Sequence, residues 1–217
     1  NRTGQQKLKE DGYSYDDEQE VGLPPPSKSI FQLDPFYEWL QWKGGPRRPG
    51  PGLYNLGNSC YLNATLQCLA YVPPLAQHLL RGLHSRRHQQ MTSPPPTTTS
   101  PHGQPGHHHH HHHQFNAMVE LEQLFSRMHS GLSQGPLSPK VLVANLRSLG
   151  RHFCVGRQED AQEFLVHLLT AMASCDVRVA PKKLRHQGAA NRGEREKVRR
   201  SLEMTSSVHR VLGGHLR

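Results

Sequence analysis

Apolar residues recur at helical spacing in four stretches of the chain, separated by polar or low-complexity segments. Leu62, Leu66 and Leu69 fall at i, i+4 and i+7, which places them on one face of a helix beginning near Cys60. Pro73 and Pro74 close that pattern. Met118, Leu121, Leu124, Phe125 and Met128 predict a second helix whose Met and Phe stripe is core packing rather than a cofactor site. Ser138 followed by Pro139 reads as an N-cap with proline at the first helical position, opening a third helix that buries Leu142, Leu146 and Leu149. The fourth begins near Asp160, which has capping-box spacing to Glu163. Ala161, Phe164, Leu165, Leu168, Leu169 and Met172 form its buried face, with Gln162 and His167 off it.

The intervening segments read differently. Residues 1–51 form a disordered or weakly ordered extension, in which Ile30, Phe31, Leu33, Phe36, Trp39, Leu40 and Trp42 pack on the domain or bind a partner, packing being the simpler expectation. Residues 84–113 are rich in Pro, Thr, Ser and His and bury too little apolar area to order themselves, so a loose loop is expected there. Its run from His107 to His113 lacks the fixed geometry of a metal site. The basic stretch from Arg178 to Arg200 reads as a surface connection before a last apolar piece at Val208–Leu212.

Composition narrows the class. Only 34% of the 217 residues are apolar and mean hydropathy is −0.72, which suits one incomplete domain with disordered parts. The chain opens on Asn1 and ends in GGHLR without a cap, so both ends are expected to be cuts and the chain a fragment. No stretch approaches the roughly 18 consecutive apolar residues of a membrane span and no signal peptide is evident, which favours the cytosol or nucleus. Four irregularly spaced cysteines, Cys60, Cys68, Cys154 and Cys175, argue against a disulfide framework and for one reactive thiol among buried ones. Without a CxxC pair, zinc has no support in this chain. The net charge of +9 raises nucleic acid as a partner. The basic tracts lack interleaved aromatics, however, and solvated loops account for them better.

Chemistry concentrates in GLYNLGNSCYLNATLQCLAYV. A cysteine after a Gly and Asn turn, at the first turn of a helix, meets free backbone N–H groups and the positive end of the helix dipole, which favour the attacking thiolate. Asn55 and Asn58 add amide donors suited to an oxyanion. Cys68 on the same helix reads as an ordinary small buried residue.

This string closely resembles the cysteine box of the ubiquitin-specific proteases, with Ser59 and Ala64 where that family commonly has Thr and Ser. GRQEDAQEFLVHLLTAM resembles the family's second box, and SSVHRVLGGHLR the segment that leads into its zinc-bearing fingers. The resemblance covers about residues 52–217 and implies an α+β papain-like cysteine protease fold, of which this chain supplies mainly the helical thumb. It also implies hydrolysis of the bond after the C-terminal glycine of ubiquitin, with ubiquitin and ubiquitinated proteins as partners. Cys60 would be the nucleophile and Asn55 part of the oxyanion hole, while Gln158, Asp160 and Glu163 would face the ubiquitin tail. No cofactor is implied within this chain, a structural zinc belonging to the fingers beyond it. The catalytic histidine box is likewise expected beyond Arg217, since His209 and His215 lack its context. By itself the chain is therefore expected to turn over little and to pack poorly. A catalytically inactive ubiquitin-binding form is the alternative.

Overall fold

The computed structural model describes residues 29–31, 38–44, 48–92, 115–185 and 191–213. Expectations for Leu33, Phe36, His215, the histidine run and the rest of 93–113 lie outside these. Regular structure among the described residues is helical: α1 (Cys60–Ala70), α2 (Pro73–Leu80), α3 (Leu83–Thr92), α4 (Ala117–His129), α5 (Lys140–Ala144), α6 (Leu146–Leu149), α7 (Ala161–Val179), α8 (Lys182–Arg185), α9 (Arg192–Glu203) and α10 (Ser207–Leu212). One parallel bridge, Leu53 with Leu137, lies outside them.

The helices pack because their periodic apolar positions converge. Leu62 and Leu66 of α1, Met118, Leu121 and Phe125 of α4, and Phe164, Leu168 and Met172 of α7 are all fully buried in one cluster. Removing each such side chain from water contributes roughly 1.5–3 kcal/mol. The long helix α7 lies against α1, α4, α6, α9 and α10, so it is the element around which the others assemble. Tyr61 of α1 meets Phe164 of α7 edge-on with ring centroids 5.5 Å apart, and this contact fixes the start of α1 against the start of α7.

Several expectations need correction. Pro73 and Pro74 end one helix but also open the next, since a proline in the first turn lacks only an N–H that has no intrahelical partner there. Pro139 rather than Ser138 holds the N-cap position of α5, which breaks at Asn145 before α6. Leu142 and Leu146 are buried as expected, while Leu149 is only half-buried. Ala161 is exposed at the first residue of α7. Cys68 is exposed as well, because it lies two residues beyond Leu66, about 200° around the helix from that buried position.

Residues 84–92 do not belong to a loose loop. They continue α3, whose first turn is capped from outside by Glu122 of α4: one carboxylate oxygen accepts from His84 N (2.8 Å), the other from Ser85 N (2.7 Å) and Ser85 Oγ (2.6 Å). The described parts of the basic stretch after Arg178 are also largely helical, as α8 and α9. α9 starts from a two-way capping box between Asn191 and Glu194 and carries i, i+4 pairs from Glu196 to Arg200 (3.5 Å) and from Glu203 to Arg199 (3.1 Å). Only Leu202 of α9 is buried, so apolar periodicity gave no sign of it.

The described parts of the N-terminal extension pack against the helices. Ile30 N donates to Thr205 Oγ1 (3.0 Å), and Arg210 Nε donates to the Phe31 carbonyl (3.2 Å). Gln77 Nε2 donates to the carbonyls of Trp39 (3.0 Å) and Gln41 (2.9 Å). Beneath this strap His78 is buried beside Phe31 and Trp39.

Burial lowers the pKa of His78 from 6.5 to about 4, with His84, Arg81 and Arg87 lowering it further and Asp176 opposing. The unfolded chain therefore takes up a proton on this side chain at a higher pH than the folded one. Stability is fully present above pH 6.5 and declines as pH falls toward 4, by about 3 kcal/mol at pH 4 from this residue alone. Melting curves across that window should show the decline, and His78→Gln should flatten it. Equal slopes in both proteins would remove His78 as the cause.

Candidate active site

Cys60 is the first residue of α1 and is exposed to solvent. Three consecutive features bring the chain to it. Gly57 has φ +86 and Asn58 φ 52, left-handed values that glycine adopts without strain and asparagine tolerates. Asn58 Nδ2 donates to the Gly156 carbonyl (2.8 Å), which ties the turn before Cys60 to the loop before α7. Gly156 itself has φ +86, and a Cβ on Gly57 would already touch its Cα at 3.7 Å.

Asn55 reaches the same turn from the other side. Its Oδ1 accepts from Ser59 N (2.9 Å) and Ser59 Oγ (3.3 Å), while Ser59 Oγ accepts from Leu56 N (2.9 Å). Ser59 is buried, and the ring of bonds fixes the Asn55 amide plane. The Asn55 carbonyl oxygen is thereby occupied and its Nδ2 donor left over. The N–H groups in the first turn of α1 have no carbonyl one turn back to meet, as at any helix N-terminus. A donor side chain tied to the residue before Cys60 and these N–H groups thus belong to the same turn as an exposed thiol, an arrangement able to bind a developing oxyanion.

Other residues of the same box serve the scaffold. Asn63 Nδ2 donates to the Tyr54 carbonyl (3.0 Å) and Gln67 Nε2 to the Pro51 carbonyl (3.1 Å), lashing residues 51–54 along α1. Tyr54 N donates to the Leu137 carbonyl and Leu137 N to the Gly52 carbonyl, both at 2.8 Å.

Burial pushes the Tyr61 phenol above its ordinary pKa, and electrostatic repulsion from neighbouring Glu159 and Cys60 adds to this. The loop before α7 therefore contributes a carboxylate near Tyr61, the residue after the thiol, and that carboxylate also accepts from Cys154 N (3.3 Å). No histidine among the described residues hydrogen-bonds Cys60; His209 lies in α10, where its N–H donates to Ser206 Oγ (3.3 Å).

Gln158 and Asp160 are exposed on the approach to α7, and Glu163 is half-exposed in its first turn. Asp160 caps the helix, its Oδ1 accepting from Glu163 N (2.8 Å). The reciprocal half of the expected capping box is replaced: the Glu163 carboxylate turns instead to His152 Nε2 at 3.2 Å. Sequence reading missed His152 because it approaches from a separate loop.

Comparison with known proteins shows the family of the chain. Residues 51–217 match the family described as ubiquitin carboxyl-terminal hydrolase. Ubiquitin C-terminal hydrolase 15 of rice is 33% identical over 193 residues, 88% of this chain and 16% of the relative. Human ubiquitin carboxyl-terminal hydrolase 42 is 31% identical over 196 residues, 90% of this chain and 12% of the relative. A third relative, human inactive ubiquitin carboxyl-terminal hydrolase 17-like protein 8, is 33% identical over 129 residues, 58% of this chain and 19% of the relative. The chain thus spans less than a fifth of the length of each of these relatives. With a family match that runs over more than half of its residues, this chain belongs to the ubiquitin carboxyl-terminal hydrolase family.

Proposed function

We propose that the chain is the nucleophile-bearing, thumb-like part of a papain-like cysteine deubiquitinase, which hydrolyses the bond after the C-terminal glycine of ubiquitin on conjugated proteins. The observation that carries this reading is the exposed thiol of Cys60 at the N-terminus of α1, beside an Asn55 amide whose Nδ2 donor is left over. In the proposed reaction the Cys60 thiolate attacks the glycine carbonyl and the Asn55 amide, with first-turn N–H groups, holds the tetrahedral oxyanion. Collapse expels the amine with a proton from a histidine base outside the described residues, and water then hydrolyses the thioester. Gln158, Asp160 and Glu163 would line the path of the ubiquitin tail, the carboxylates pairing its arginines.

The deciding assay is fluorophore release from a C-terminal ubiquitin amide by the protein that carries this chain; absence of release would overturn the reading. Within that assay Asn55→Ala should lower kcat by about 10²–10³-fold with little change in KM. Asn55→Asp keeps an acceptor for Ser59 but removes the donor, so it should be impaired to a similar degree. Activity retained by Asn55→Asp would assign Asn55 to positioning Ser59 instead.

A second reading, a ubiquitin-binding form without turnover, is raised by the relative whose name marks it inactive. Saturable ubiquitin binding without fluorophore release would select it.

A further inference from the structure

A cluster outside the cysteine site has the composition and geometry of a metal centre. Glu163 and His167 lie at i and i+4 on α7, so both project from one side of the helix, and His152 meets them from the loop before it. One ligand atom from each lies within 4.8 Å of the other two, with His152 Nε2 and the Glu163 carboxylate already at 3.2 Å. Donor atoms around a tetrahedral zinc ion stand roughly 3.3 Å apart, so small side-chain rotations would suffice to close the set.

The two rings are held in advance. His167 Nδ1 lies 3.1 Å from the Leu149 carbonyl; in the tautomer that donates this bond, Nε2 is the free ligand atom, the orientation that metal-binding histidines commonly take. Fully buried Phe153 stands beside both, its centroid 4.1 Å from that of His152 and 5.3 Å from that of His167. Gly150 permits this stacking: a Cβ there would come within 2.8 Å of His152 Cε1 and 2.9 Å of Phe153 Cε2. An exposed His152 to Glu163 ion pair alone would contribute only about 0–1 kcal/mol and would not require His167 to be oriented toward it.

We propose that His152, Glu163 and His167 bind a borderline divalent transition-metal ion such as zinc. Two imidazoles and one carboxylate suit such ions rather than magnesium or calcium. The side chains of His152 and Glu163 are 44% and 49% exposed, which leaves further coordination positions to water or a ligand. Occupation would withdraw Glu163 from the ubiquitin tail, a consequence that rests on the functional reading above, whereas the site itself does not.

The test is a cobalt titration of the full chain in which His107 to His113 are replaced by serine, removing a competing histidine run. One equivalent should bind with visible d–d absorption and no thiolate-to-cobalt charge-transfer band, and zinc should displace it. Affinity should fall at least about tenfold in each of His152→Ala, Glu163→Gln and His167→Ala, with far-UV circular dichroism confirming retained helix. Should His167→Ala lose its helical signal, the half-exposed His152→Ala decides the matter. Equal affinity in the folded variants, thiolate bands, or no binding in the serine background would each overturn the proposal.

Discussion

Cys60→Ala is expected to abolish fluorophore release from a ubiquitin C-terminal amide, with kcat/KM falling by at least about four orders of magnitude. Members of a nucleophile and base unit act together, so losing the nucleophile removes covalent catalysis whole. The same substitution should leave folding within about 0.5 kcal/mol of the parent, since Cys60 is exposed and contributes nothing to the buried cluster. Ubiquitin binding should also persist, because the proposed tail contacts come from the approach to α7 rather than from the sulfur. Cys68→Ala is the matched control: a second exposed thiol on α1, it should retain full activity. Activity surviving in Cys60→Ala, or lost equally in Cys68→Ala, would remove Cys60 as the nucleophile.

The parts of the molecule that were legible in the sequence are those where one helix face meets one core. Leu62, Leu66 and Leu69, the stripe from Met118 to Met128, and Phe164, Leu168 and Met172 all lie at the periodic spacing that burial imposes, and each is buried. The turn before Cys60 was legible for a related reason, since Gly57 and Asn58 are the residue types that left-handed backbone demands. Bonds to backbone carbonyls were not legible. Nothing in the sequence says that Asn58 will reach the carbonyl of Gly156, because every residue has such an acceptor. Long-range polar pairs were hidden too: the position of Glu122 on its helix carries no sign that its carboxylate caps the start of α3. For α9 a signal lies in the sequence, Asn191-x-x-Glu194 being a capping box, but it sits in a basic, glycine-containing tract that reads as a surface connection. A helix held by its cap and by exposed ion pairs carries little apolar imprint.

Asp176→Ala is expected to be the most destabilising single polar substitution, by about 3–5 kcal/mol. Asp176 lies on α7 and is wholly buried, with one carboxylate oxygen 2.8 Å from His84 Nε2 of α3 and the other accepting from Ser207 N and Ser207 Oγ, both at 2.7 Å. It thus joins α3 and the start of α10 to the central helix, and its removal strands a buried imidazole and a helix N-terminal N–H group together. For a chain of this size the loss corresponds to a fall in Tm of about 6–20 °C. Asp176→Asn should cost less, since its amide oxygen can still accept from Ser207. The mechanism makes a sharper demand on the double variant. If His84 and Asp176 stabilise the fold as a pair, His84→Leu combined with Asp176→Leu should be less destabilising than the sum of the two single changes, by about 0.5–3 kcal/mol in a double-mutant cycle. Strict additivity, or a loss below about 1 kcal/mol for Asp176→Ala, would show that the pair does not hold α3 and α10 in place. A loss of the expected size would make α3 an extension of the core helices, anchored at His84, and would tie the C-terminal half of α7 to both α3 and α10.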